Sequence, residues 1–512
     1  MMKNKLIFTL MLFCMTILAA TAADAATYYV SNSGNDAASG LSESSAWRTV
    51  EKVNQQVFEP GDEILFQAGG IWNGCLWVRG SGTKNSLISV GKYGEGAKPC
   101  INGNGENAAV FLYNQQYIKI SNLEITNQGE EAWRYGVYVC GYNAGALNGI
   151  ELNGLTVHDV NGYYTATMSD LDNHWNGGII VSARGEVATR FVGLTITGCE
   201  VYNVARTGIA TFSNFYTSYD KDVAGMTQQL KISNNIVHDV KGDGIIVCGD
   251  YNGTVTGNTV YETNLMSYQD GMSRANVGIF ALHSTGTVIA ENESYLSRTT
   301  YDGFGYDIDG DCDNVKLQYN YSHDNEGGFV LLVNHHTYGA TVRYNISQND
   351  KNQTVAVATP ASSEELKKMT AEFYNNTIYS EVTTAHKMLN ITCTVEKMSI
   401  MNNIFYLTNP SGSAIYNNMR RPSDLTISNN IYYGNNATAK LSQYDTHAIC
   451  QDPMLTAAGS GAVGRTTLDG YKLQAESPAI GAGCVVENNG GYDFWGNRVS
   501  DSQAPNIGAY RK

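Results

Sequence analysis

Apolar and polar residues alternate along this chain in short runs, and an Asn-rich bend interrupts each run. Ile120-Ser121-Asn122-Leu123-Glu124-Ile125, Ile232-Ser233-Asn234-Asn235-Ile236-Val237 and Ile427-Ser428-Asn429-Asn430-Ile431-Tyr432 show the unit: strand, bend, strand. Alternation rich in β-branched residues predicts strands, and no long run carries helical periodicity. One Asn column runs through Asn235, Asn258, Asn292, Asn320, Asn345, Asn376, Asn403 and Asn430, at intervals of 23, 34, 28, 25, 31, 27 and 27 residues. Such a period belongs to solenoids. A single turn cannot bury its own apolar face, whereas stacked turns can. Asn suits the bends because it tolerates left-handed φ, and stacked Asn side chains can satisfy one another inside. The column is therefore structural, in an all-β solenoid of about 11 coils.

A second strand class opens on Gly: Gly136, Gly178, Gly208, Gly244, Gly278, Gly303 and Gly328, each followed by an apolar residue. These predict a second sheet with one strand per coil. Cys140 and Cys248 share a place in it, about three coils apart and too far for a disulfide. Both ends read as caps, since a solenoid end exposes unpaired strands. The expected organisation is a signal peptide over 1–25, an N-terminal cap and first coils over 26–105, the β-helix over 106–435, and C-terminal coils with a cap over 436–512.

Composition narrows the partners. The 512 residues carry a net charge of −15, or −16 without residues 1–25. That disfavours nucleic acid, whose phosphates need a basic surface. Lys3 and Lys5 precede an apolar run, Leu6 to Ala20, and Ala23-Asp24-Ala25 fits a cleavage site, so export to the periplasm, cell surface or exterior is expected. No other segment suggests a membrane span. Nine Cys follow the signal, an odd number without a CxxC pair, which reads as small buried hydrophobes.

The opening Tyr29-Val30-Ser31, Gly34-Asn35-Asp36, Trp47-Arg48-Thr49 and Pro60-Gly61-Asp62 resemble the start of secreted right-handed parallel β-helix proteins of the pectate-lyase-like superfamily. The closing Ser477-Pro478-Ala479-Ile480 and Ile507-Gly508-Ala509-Tyr510 are similar to their ending. The resemblance implies a single-stranded right-handed parallel β-helix with a glycan groove along one sheet. It is shared by polysaccharide lyases, glycoside hydrolases, epimerases and adhesins, so activity must come from the site.

The densest chemistry is Tyr301-Asp302-Gly303-Phe304-Gly305-Tyr306-Asp307-Ile308-Asp309-Gly310-Asp311-Cys312-Asp313. Strand alternation places Phe304, Tyr306 and Ile308 inward and Gly305, Asp307 and Asp309 outward, with Gly305 leaving the surface bare for a sugar. Counted from Gly303, Asp307 falls between Leu282 and Leu332, and Asp309 shares a place with Asp250. Apolar neighbours would raise the pKa of Asp307, as a catalytic acid requires. The catalytic candidates are Asp307 and Asp309, with Asp270, Asp302 or Glu326 as a further carboxylate. The substrate-binding candidates are Asp302, Arg274, His283, His335, Tyr164, Trp175 and Tyr216, on strand ends and on insertions that would wall a groove; His174 stands in one of these walls. Asp311 and Asp313 are bend residues or, failing that, ligands to Ca²⁺ as a cofactor. His158-Asp159, His238-Asp239 and His323-Asp324 recur in the bends and read as structural.

Three classes compete. A glycoside hydrolase would use two of these carboxyls. Some β-helix glycosidases are similar here but carry a Glu on the next Phe-Val strand, which Phe329-Val330-Leu331-Leu332-Val333 lacks. A Ca²⁺-dependent lyase would use Arg206, Lys241 or Arg274 as base. One lyase family shares Asp302-Gly303-Phe304, but its paired Asp is replaced by Asn325-Glu326. A binding or adhesive protein would need no perturbed carboxyl. The expectation is an exported, monomeric, polysaccharide-degrading glycoside hydrolase acting on a polysaccharide or oligosaccharide, with a lyase second.

Overall fold

The computed structural model describes residues 25–162, 174–216, 223–265, 275–299, 302–358, 368–393, 395–408, 415–419, 424–434 and 441–511. Residues 1–24, which hold nearly all of the expected export signal, lie outside them. Among the described residues, three long sheets of 14, 13 and 12 strands run the length of the molecule, beside a short sheet of four. Every strand pairs with its counterpart about one coil away, in parallel, as in Val237↔Val260 and Leu317↔Val342. Stacking begins at Thr27–Val30, so the coils outnumber the roughly 11 that the Asn column suggests. Thirteen turns at ~4.8 Å per strand give a rod of about 60 Å. No helix among the described residues is long and apolar enough to cross a membrane.

The apolar positions of the three sheets meet along the axis in one continuous core running from Val30 to Leu441. The Asn column flanks that core as a hydrogen-bonded ladder. In each Asn the backbone N and Nδ2 both donate to Oδ1 of the next, as in Asn320 to Asn345 at 2.9 and 3.0 Å. Asn430 ends the ladder on Asp445 Oδ2. The left-handed residue of each bend is the one before the column: Asn234, Tyr319, Tyr344, Asn375, Asn402 and Asn429 have φ between 51° and 59°. The column residues thus turn their amides inward while their predecessors make the turn. His158, His238 and His323 each bond the following Asp at 2.7–2.8 Å and stack with tyrosines in a ring ladder, the structural role expected of them.

The glycine strands form the 12-stranded sheet, with one correction of register. Ile279 pairs with Tyr306, which aligns Gly278 with Gly305 rather than Gly303. A Cβ on Gly305 would sit 2.6 Å from Ser322 Oγ and 2.8 Å from Asn325 Nδ2, so Gly305 is bare on the inside, not on the groove side. Phe304 correspondingly joins the apolar cluster that includes Trp175, Phe280 and Leu282, outside the main core. All nine described cysteines are free thiols. The chain after Leu441 folds back along the rod: Gly464 N donates to Glu293 Oε1 at 2.7 Å, Arg343 Nη1 to Asn488 O at 2.8 Å, and Asn402 Nδ2 to Cys484 O at 2.8 Å.

Candidate active site

On the outer face of the 12-stranded sheet, register places Asp307 between Phe280 and Leu331. Continuing it places Asp309 beside Leu282, which pairs with Cys248. The expected neighbours Leu332 and Asp250 are therefore replaced: Leu332 is a core residue, and Asp250 pairs with Thr227 in the short sheet. The expected consequence survives, because the true neighbours are equally apolar.

A cavity of about 610 Å³ opens over these strands. Asp302, Asp307 and Asp309 all line it, with His174, His283 and His335. Phe304–Ile308 positions the acids: the strand presents Asp307, its continuation presents Asp309, and the bend before it presents Asp302. Gly303, at φ +67°, makes that bend; a side chain there would strike the carbonyls of Arg298 and Thr299.

The three carboxyls differ in their surroundings. Burial pushes Asp302 well above the usual carboxylate range, and the charges of Asp309 and Asp243 push it further. Burial does the same to Asp307, with Asp309, Asp302 and Asp243 adding to it, and Asp307 Oδ1 is buried without a hydrogen-bond partner. Asp309 is also raised by burial, but Gly310 N donates to its Oδ1 at 2.6 Å, and His283, His174 and His335 act to lower it. Burial thus raises all three carboxyls, and of the three only Asp309 has groups that oppose the rise, an asymmetry of the kind by which paired acids divide their roles.

The other expected residues separate. Trp175 lines the cavity, buried against Phe212. Tyr216 stacks on His283 with ring centroids 3.7 Å apart, backing the cavity rather than lining it. Asp311 Oδ2 lies 3.1 Å from His283 Nδ1, whereas Asp313 Oδ1 accepts from Asn314 Nδ2. These two do not converge, and no group of three or more metal-holding side chains occurs among the described residues. Glu326 is not in the cavity: it accepts from Thr299 N at 2.7 Å and pairs with Arg298. Asp270, Arg274 and Tyr164 lie outside the described residues. The far end holds Gln353, Asn390 and Thr392, unseen in the sequence because nothing marks single amides and hydroxyls on a strand. Asp243 was missed too, being one Asp in the turn Lys241-Gly242-Asp243-Gly244.

Gly327 supports this arrangement from the next coil. A Cβ there would lie 1.5 Å from the carbonyl oxygen of Asp302, so Gly327→Ala must push that residue aside. Misplacing a reacting group by an ångström costs about 10²-fold in rate, and that loss of kcat is expected with the far-ultraviolet circular dichroism of the rod preserved.

Comparison with known proteins supports the β-helix assignment. The family model described as "Right handed beta helix region" matches residues 108–293 and 195–378, together over half of the chain. The chain is 28% identical to the lacto-N-biosidase of Bifidobacterium longum subsp. longum, over 96% of this chain and 36% of that protein. It resembles the crystal structure of the GH136 lacto-N-biosidase from Eubacterium ramulus with a TM-score of 0.61 and 27% identity, over 70% of this chain and 64% of that one. The chain thus spans 36% of the one relative's length and 64% of the other's. Stacked parallel sheets, the internal Asn ladder and the family match agree: the chain belongs to the right-handed β-helix family.

Proposed function

We propose that the chain is a glycoside hydrolase of the lacto-N-biosidase type. The observation that carries this reading is the carboxyl trio in one cavity, all three raised by burial, with Asp309 the member whose anion a backbone N–H and three histidines support. Asp309 is the nucleophile or base at the anomeric carbon, and a neutral neighbour, Asp302 or Asp307, protonates the departing glycosidic oxygen. The Asn variants at 302 and 307 tell them apart: the true donor's variant still cleaves glycosides with good leaving groups but loses those with poor ones. Similarity to two lacto-N-biosidases supports the same class and makes lacto-N-biose glycosides the first substrates to try. The expected signal segment makes the enzyme an exported one.

The lyase alternative loses ground on one observation. Arg206, a candidate base, is 1% exposed and its Nη1 is 2.9 Å from Asp243 Oδ2, so it is committed to an ion pair. The test is a panel containing p-nitrophenyl lacto-N-bioside, lacto-N-biose-terminated oligosaccharides, pectate and alginate. Release of sugar without ultraviolet absorbance from an unsaturated product is expected. Such absorbance from an acidic polymer, lost with chelator, would overturn the hydrolase assignment.

A further inference from the structure

An ion network stands behind one wall of the cavity. Asp243 is fully buried; its Oδ2 lies 2.9 Å from Arg206 Nη1 and 2.8 Å from His174 Nδ1. Its Oδ1 accepts from Val277 N at 2.9 Å, and Arg206 Nη2 lies 2.8 Å from the same His174 Nδ1. Burial acts to raise Asp243, but His174 and Arg206 outweigh it and hold the carboxyl below its ordinary range.

Buried ions are costly to desolvate, and a well-packed apolar residue often serves stability as well or better. The fold itself shows that alternative. The carbonyl of Asp243 accepts from Gly208 N; in the next two coils Val277 accepts from Gly244 N and Phe304 from Gly278 N. Val277 and Phe304 fill the equivalent place with apolar wall. Asp243 is therefore not demanded by the coil. What its carboxyl achieves, and Val or Phe could not, is to accept from Val277 N, to pair with Arg206 and, with that pair, to fix the ring of His174.

His174 lines the cavity with Asp302 and Asp309, its side chain 16% exposed. Nδ1 is engaged on the network side, which leaves Nε2 for the cavity side. Asp309 is faced by His174, His283 and His335, by the carboxyls of Asp302 and Asp307, and by the thiols of Cys248 and Cys312. His283 has its own carboxylate, Asp311, at 3.1 Å. His174 is the histidine tied to an arginine–aspartate pair.

We propose that Arg206 and Asp243 anchor His174 as a positioning residue, its ring held at the cavity wall to face Asp309 and orient the sugar that reacts there. This rests on the glycosidase reading. The test compares wild type, His174→Gln, Asp243→Asn and Asp309→Asn on p-nitrophenyl lacto-N-bioside, measuring kcat, KM, the pH profile of kcat and the melting temperature. Asp309 must be ionised to act. Removing a group that favours its anion raises its pKa, so the acid limb of the profile moves to higher pH. His174→Gln is expected to lower kcat at least ~10-fold, keep KM within about threefold and move that limb upward. Asp243→Asn is expected to move the limb the same way without touching the cavity; if it does not fold, His174→Gln decides alone. Wild-type kcat and an unmoved limb in His174→Gln, with Asp309→Asn inactive, would overturn the inference alone. A lower kcat with an unmoved limb and a lower melting temperature would also overturn it, leaving a structural role. An active Asp309→Asn would instead overturn the glycosidase reading beneath it.

Discussion

Asp309→Asn should give a folded rod whose turnover is at least ~10³-fold below wild type on any glycoside the enzyme accepts. The substitution is nearly isosteric and keeps an oxygen for the 2.6 Å bond from Gly310 N, so the loss is chemical rather than structural. Asp309 is the carboxyl of the cavity with a backbone donor and three histidines acting toward its anion. A neutral amide can neither attack the anomeric carbon nor activate water. Because nucleophile and base roles both need the anion, activity should also fall in wild type as pH drops through the Asp309 pKa, which burial sets above the ordinary value. Full activity in the variant, with an unchanged melting temperature, would remove Asp309 from the mechanism.

The second large effect concerns stability. Asn320→Ala should lower the unfolding free energy by about 2–4 kcal/mol, a large part of what an ordinary domain possesses. Asn320 Nδ2 donates to Ile289 O at 2.9 Å and to Asn345 Oδ1 at 3.0 Å, and its own Oδ1 accepts from Asn292 N and Nδ2. Truncation leaves the Asn292 N–H buried without its acceptor, at about 1–3 kcal/mol, removes a second donor from the Ile289 carbonyl and opens a void beside them. Denaturant melts of the two proteins measure this directly. A loss under about 1 kcal/mol would show that water or a neighbour replaces the amide.

These two residues differ in how openly the sequence declares them. Asn320 belongs to a column whose physical need recurs in every coil, so spacing alone exposes it. The acids were visible as a cluster, but their neighbours were not. Asp302-Gly303-Phe304-Gly305 offers two glycines, and either could open the strand. Neither can carry a side chain, and only the packing against Ser322 and Asn325 shows that Gly305 takes the place of Gly278 in the sheet while Gly303 makes the bend, which shifts the register by two residues. Asp302, expected both as a substrate contact and as an alternative further carboxylate, lines the cavity with the candidate acids. Asp243 is a lone carboxylate in a glycine turn, and Glu326 an equally plausible one. Their different fates, buried ion pair and loop anchor, depend on which coil lies above.

The tail that folds back over the rod changes how the molecule can come apart. Within the helix, contacts join neighbouring turns, so a bare stack would fray from its end one turn at a time. Glu293, Arg343 and Asn402 are each tied to a residue 171, 145 and 82 positions later. Loosening the last turn then requires releasing a brace that also grips coils far upstream. The C-terminal half is thereby made into one cooperative unit, and the end that would otherwise melt first is held shut.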